Sequence, residues 1–432
     1  MKALRVGLLI LFAGAVLAFG AVDVWSQSLL EAGAAVLFVL WAALATRNPE
    51  VRLQWSPLNW PMLALIGVGL MQLLFRATAS PFLTRVEALK FAAYFLIFFL
   101  AAQAFRTRRD FTVLAWFLML LCFAVSLQGI TQHFTSSSDI YWTDAFSIQT
   151  AFFGPYVNRN HFAGFVELTL PTGLAVMAFR CVRREVVPLV VLLTIVPVSA
   201  LVLSGSRSGI IGFVFELAVL ALLVRSRSGR RWKAPRIMAA GAVALIALAF
   251  VAWVGAGLAI QRFSLLNVHD VPLGRRTSMA RGAAHIFRDF PLKGSGLGTL
   301  VDVYPRYDTV YDGRLVDHVH NDYLEGLAET GLLGGLCGVF FLWELYRESR
   351  KAFAPQQAHL SLALHAAGIA AVAGLLFHSL VDFNLHIPAN ALLFLLQVFI
   401  ATSPPLPPSA SRRLNSLRKK EGFQGVGASS SP

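Results

Sequence analysis

Charge is scarce in this sequence. Asp, Glu, Lys and Arg make up 14% of the 432 residues, whereas a soluble globular domain carries about 25%. With 56% hydrophobic residues and a mean hydropathy of +0.64, a soluble fold is excluded. Cysteine is nearly missing: Cys122, Cys181 and Cys337 lie in or beside apolar runs without paired spacing. That excludes a disulfide framework and a thiolate metal centre. No Gly-Lys-Ser/Thr follows a strand pattern, so neither a P-loop nor a dinucleotide fingerprint is present. There is no Asp-x-Asp pair and no repeat of about 20–50 residues, which argues against solenoids. Inverted-repeat transporters are disfavoured for the same reason.

What fills the chain is apolar sequence in long runs, at about 6–20, 28–45, 58–75, 86–104, 111–130, 161–179, 186–203, 208–224, 237–258, 323–345, 359–377 and 386–402. Runs of about 18–23 residues at 1.5 Å each span a hydrocarbon core of about 30 Å. Backbone groups in lipid must pair within their own segment, so these runs are read as helices. The expected fold is all-α: a polytopic transmembrane bundle of about 12 helices over residues 1–402, with a large periplasmic loop, 259–322, containing short helices. Residues 403–432, rich in Pro, Ser and basic side chains, read as a disordered cytoplasmic tail that touches anionic lipid.

The net charge of +14 follows the loops. Placing alternate connections in the cytoplasm collects 24 of the 37 Lys plus Arg there, as short loops obeying the positive-inside rule do. Both termini are then cytoplasmic, and the basic surplus is a topology signal with no nucleic-acid partner implied. Residues 1–20 mimic a signal peptide, with Lys2 and Arg5 ahead of an apolar stretch, but are read as a retained first helix. Two outside segments are long, about 131–160 and 259–322, and long loops in compact proteins are functional or disordered. Within the second, Met279, Ala283, Ile286, Phe287 and Phe290 recur at helical spacing, which predicts an amphipathic helix on the membrane surface.

The outer helix ends hold the candidate chemistry. His318-Val-His320-Asn321-Asp322-Tyr323 opens one helix, with Gly331 and Gly334 further along it. Glycines three apart suit close helix packing in a membrane. An imidazole, with an ordinary pKa of about 6.5, can accept a hydroxyl proton at neutral pH; a helix cap is the plainer use of the same residues. Ser204-Gly-Ser-Arg207-Ser-Gly209 sits between two apolar runs. An Arg held there faces a polar partner or the headgroups, and its fork suits a phosphate. Arg275 and Arg276 precede the amphipathic helix, and Lys293-Gly-Ser-Gly296-Leu-Gly298 follows it; its glycines present backbone N–H groups to phosphate, or form a turn. Asn158-Arg159-Asn160-His161 and His378-Ser-Leu-Val-Asp382-Phe-Asn384-Leu-His386 line a polar cavity or cap helices. Lys90, Glu167 and Glu216 are buried charges expected to pair with one another. Asp302, Asp308, Asp312, Asp317 and Asp322 could bind a metal together with His318 and His320, but no metal is assigned.

His320-Asn321, nine residues, then Gly331-Leu-Leu-Gly334 resembles the signature of the O-antigen ligase and polymerase superfamily. SGSRSG, Arg276 ahead of RDFPLKGSGLG, GPYVNRNHFAG and HSLVDFNLHIPAN extend the resemblance over about residues 150–400. Members often carry a Trp a turn after the loop arginine; this chain has Ala280, which leaves Arg275 and Arg276 as alternatives. The resemblance implies a metal-independent, cofactor-free, inverting transfer of a glycan from undecaprenyl diphosphate at the periplasmic face of the bacterial inner membrane. By it, His320 is the base, and Arg207 with Arg276 (or Arg275) holds the diphosphate. Asn321, His318, Arg159, His161, His378 and Asp382 complete the expected substrate site. The acceptor is lipid A core for a ligase, the growing polysaccharide for a polymerase, or protein for an O-oligosaccharyltransferase. A lipid-linked glycan flippase is the alternative of another class.

Overall fold

The computed structural model describes residues 1–48, 52–135, 140–142, 152–227, 273–310, 313, 315–354 and 358–406. The described chain is helical, with a lone bridge between Phe153 and Tyr156 in place of any strand. Among the described residues, eight helices are long and apolar enough to cross a membrane. They are α2 (Val24–Arg47), α4 (Pro81–Ala104), α5 (Arg108–Thr135), α6 (Arg159–Ala178), α7 (Val187–Ser204), α8 (Arg207–Arg227), α11 (Asp322–Ala352) and α12 (His359–His378). Two apolar helices, α3 (Asn59–Leu74) and α13 (Pro388–Thr402), are shorter, and α1 covers Lys2–Leu17. The run at 237–258, expected as a further helix, and the tail beyond 406 lie outside the described residues.

Burial separates the helices by position. In α6, 83% of the apolar window is buried, against 17% in α2, so α6 is the axis of the bundle and α2 its rim. Around α6 pack α5, α7, α8, α12 and α13. The charges inside the bundle pair differently from the expectation. Lys90 binds Glu87 one turn earlier at 2.7 Å, and Glu167 of α6 meets His378 of α12 at 3.0 Å. Glu167 fits there because α8 presents Gly212: a Cβ at that position would stand 2.9 Å from its Oε1. At the far end Arg5 pairs with Asp110.

The outer loop has its own small core. Helix α9 (Leu273–Asp289) buries Met279, Ala283 and Ile286 against Leu300, Val303, Tyr304, Val319 and Ala328. The apolar stripe expected on the membrane surface therefore packs on protein. Burying an aliphatic chain such as Ile286 stabilises this contact by about 1.5–3 kcal/mol.

The glycine-rich segment after α9 is structural too. Helix α11 breaks at Gly331 (φ +62°, ψ −159°), and the backbone of 291–296 threads into the break. Ser295 N and Gly296 N donate to Ala328 O and Glu329 O, and Leu332 N and Leu333 N donate to Pro291 O and Leu292 O. A Cβ on Gly331 would lie 2.5 Å from the Leu292 carbonyl carbon, so this glycine serves the threading rather than helix–helix packing. The Glu329 carboxylate accepts from Gly298 N and Leu300 N, each at 2.9 Å. The Gly296 and Gly298 amides expected to face phosphate are thus taken by the Glu329 carbonyl and carboxylate. Gln72 of α3 clamps the other side, donating to Lys293 O at 2.6 Å and accepting from Leu297 N at 2.9 Å.

Candidate functional site

At one end of the bundle the N-termini of α6, α8 and α11 meet the C-terminus of α12 and the 379–387 connection to α13. Asn321 caps α11, its Oδ1 accepting from Leu324 N at 2.9 Å while its Nδ2 donates to Leu380 O at 2.8 Å. Asp322 N donates to Ser379 O at 3.1 Å. These bonds hold His320 at φ +53°, a left-handed backbone that costs an L-residue about 1–2 kcal/mol. Retained strain of this kind clusters at working sites.

His320 Nδ1 donates to Asp382 Oδ1 at 3.3 Å. Asp382 is wholly buried, and both its oxygens are engaged. Oδ1 also accepts from Phe383 N at 2.9 Å, and Oδ2 accepts from Asn160 Nδ2 at 2.7 Å. Asn160 Oδ1 in turn accepts from Ser206 Oγ at 2.8 Å, so a continuous chain of hydrogen bonds joins His320 to the residue preceding Arg207. Burial alone would raise the Asp382 carboxyl. The bond from His320 and the imidazoles of His161, His320 and His378 outweigh it and hold the group below the usual carboxylate range. His161 lies with Nε2 3.9 Å from Asp382 Oδ1 and its ring edge-on to Phe383. No hydrogen bond is made by His320 Nε2 among the described residues.

The two arginines of α9 divide. Arg275 is buried and forks onto Asp308 at 2.5 and 2.8 Å, with a further bond to Val310 O. That fork holds the Asp308 carboxyl below its ordinary value. Arg276 donates to Val381 O at 3.0 Å, next to Asp382. Arg276 is therefore the arginine on the His320 side. Arg207 is the exposed first residue of α8, and Arg159, the buried first residue of α6, lies with Nη1 3.6 Å from where a Cβ on Gly205 would stand. Under them, His378 is fully buried on Glu167.

His318 goes elsewhere. Its Nδ1 meets Glu325 Oε1 at 2.6 Å and its ring stacks on Phe383 at 4.3 Å. His386 joins this second group, Nδ1 on Asp322 Oδ1 at 2.7 Å and Nε2 3.3 Å from Glu325 Oε1. Burial would lower the His386 imidazole, but the Glu325 and Asp322 carboxylates push it up to about 10. The five loop aspartates do not converge: Asp308 serves Arg275, Asp317 binds its neighbour's amide, His318 N, and Asp312 lies outside the described residues. Sequence reasoning passed over Ser206, Phe383 and Glu325 and left Asn160 and His386 unassigned, because the contacts that define them cross 46 to 222 positions of chain or bridge a loop and a helix. The alternating polar residues of 378–386 were the available signal for His386.

No curated protein matches the chain. Residues 189–340, from α7 through the first half of α11, match the family model for O-antigen ligase. That stretch contains Arg207, Arg276 and His320, and the match supports membership of the O-antigen ligase superfamily.

Proposed function

We propose that this O-antigen ligase- or polymerase-type membrane glycosyltransferase moves a glycan from undecaprenyl diphosphate to lipid A core at the periplasmic face of the inner membrane. The observation that carries this reading is His320, strained, oriented through Nδ1 by a buried carboxylate, and unengaged at Nε2. Nε2 takes the proton of the acceptor hydroxyl as its oxygen attacks the anomeric carbon from the face opposite the diphosphate. The glycosidic C–O bond breaks with inversion, and its electron pair leaves on the lipid diphosphate. Arg207 and Arg276 offset that growing charge, which is why no metal is assigned to the step. Asp382 and Asn160 position the base, and His161, Arg159 and Asn321 border the pocket.

Sidedness rests on charge. The opposite ends of α8 and α11 carry Arg225, Arg227, Arg350 and Lys351, which supports a cytoplasmic placement there. The test is reconstituted transfer in liposomes with a lipid-diphosphate glycan donor. His320→Ala, folded but with turnover down about 10²–10⁴-fold, is the expected result; undiminished turnover would remove His320 as base. Offering lipid A core, free glycan or protein as acceptor separates ligation from polymerisation and protein glycosylation.

A further inference from the structure

We propose that His318, Glu325 and His386 form a binding site for a divalent transition metal of the zinc class, beside the His320–Asp382 pair and separate from it. Their ligand atoms lie within 4.8 Å of one another, with 2.6 Å from His318 Nδ1 to Glu325 Oε1 and 3.3 Å from His386 Nε2 to the same oxygen. Ligands of a tetrahedral zinc at about 2.0–2.1 Å stand about 3.3 Å apart, so small rotations of three side chains suffice to admit an ion.

The surrounding bonds are those of a prepared site. Asp322 Oδ1 accepts from His386 Nδ1, which fixes the tautomer and leaves Nε2 for a ligand bond, as carboxylate–histidine–metal triads do. Asp322 is itself held by Leu385 N at 3.2 Å. Val319 N donates to Glu325 Oε2 at 3.0 Å, leaving Oε1 for the ion. The His318 ring is set by its stack on Phe383. Glu325 is 1% exposed, while the His318 and His386 side chains are 27% and 19% exposed, which leaves an opening for water as fourth ligand. Glu325 and Asp322 bring two carboxylates to the site, whose negative charge a dication offsets. The ion would bolt the 379–387 loop, which carries Asp382, to the start of α11 and the residues just before it, which include His320.

The assay needs no transfer activity, so its outcome is independent of the proposed reaction. Full-length protein in detergent, stripped with chelator, is titrated with Zn²⁺ against a chromophoric competitor, and with Co²⁺ by visible absorption. One equivalent bound with a tetrahedral Co²⁺ spectrum is expected. His386→Ala and His318→Ala should each abolish it, Asp322→Asn should weaken it about 10–100-fold, and His285→Ala, on the exposed face of α9, should leave it unchanged. Absence of the stoichiometric site, or equal binding by both ligand variants, overturns the proposal.

Discussion

Replacing Asp382 by Asn tests the electrostatic role of this carboxylate with little structural damage. Phe383 N–H requires an acceptor at the Oδ1 position, so the carbonyl of the introduced amide stays there and its NH₂ turns to Asn160. The Asn160 amide then flips, presenting oxygen to that NH₂ and its own NH₂ to Ser206 Oγ, a hydroxyl that accepts as readily as it donates. Every polar atom keeps a partner and His320 keeps its tautomer; only the negative charge is lost. A hydrogen bond to a charged group contributes about 1.5–3 kcal/mol and a neutral one about 0.5–1.5. The difference, about 1–2 kcal/mol, falls on the state in which His320 holds the acceptor proton. It corresponds to about 5–30-fold in turnover, toward the lower value given the 3.3 Å separation. Single-turnover and steady-state transfer should show lower kcat with unchanged donor KM. Wild-type kcat, or a rise confined to KM, would refute the charge-stabilising role and make Asp382 a spectator or a substrate contact.

His320→Gly should match its loss of turnover with a gain in stability over His320→Ala of about 1 kcal/mol, since glycine takes φ +53° without strain; thermal unfolding in detergent compares the two. Glu329→Ala strands the buried amides of Gly298 and Leu300, at about 1–3 kcal/mol each, and hydrogen exchange at 294–300 should accelerate ahead of the bundle. The Asp308 carboxyl is depressed in the folded chain, so the Arg275 pair stabilises fully above the unfolded value of about 3.9 and is lost as pH falls through the folded one. Proteolysis of the 304–310 segment should therefore rise on acidification below about pH 4, and Arg275→Met should make it high at every pH.

The membrane helices were legible because apolar length is a local property: each described run in the sequence became a helix within a few residues of its reading. His320 and Arg276 were singled out through motif resemblance, and the fold places both against the 379–387 connection. The roles of their neighbours were not legible, since a role here is a contact between distant segments. Arg275 and Arg276 are adjacent and chemically identical, and only the fold shows that Asp308 takes one and the Asp382 loop the other. The glycine segment misled for the opposite reason. Its amides are indeed gathered, but Glu329, four residues past Glu325 on the same helix, satisfies them from within.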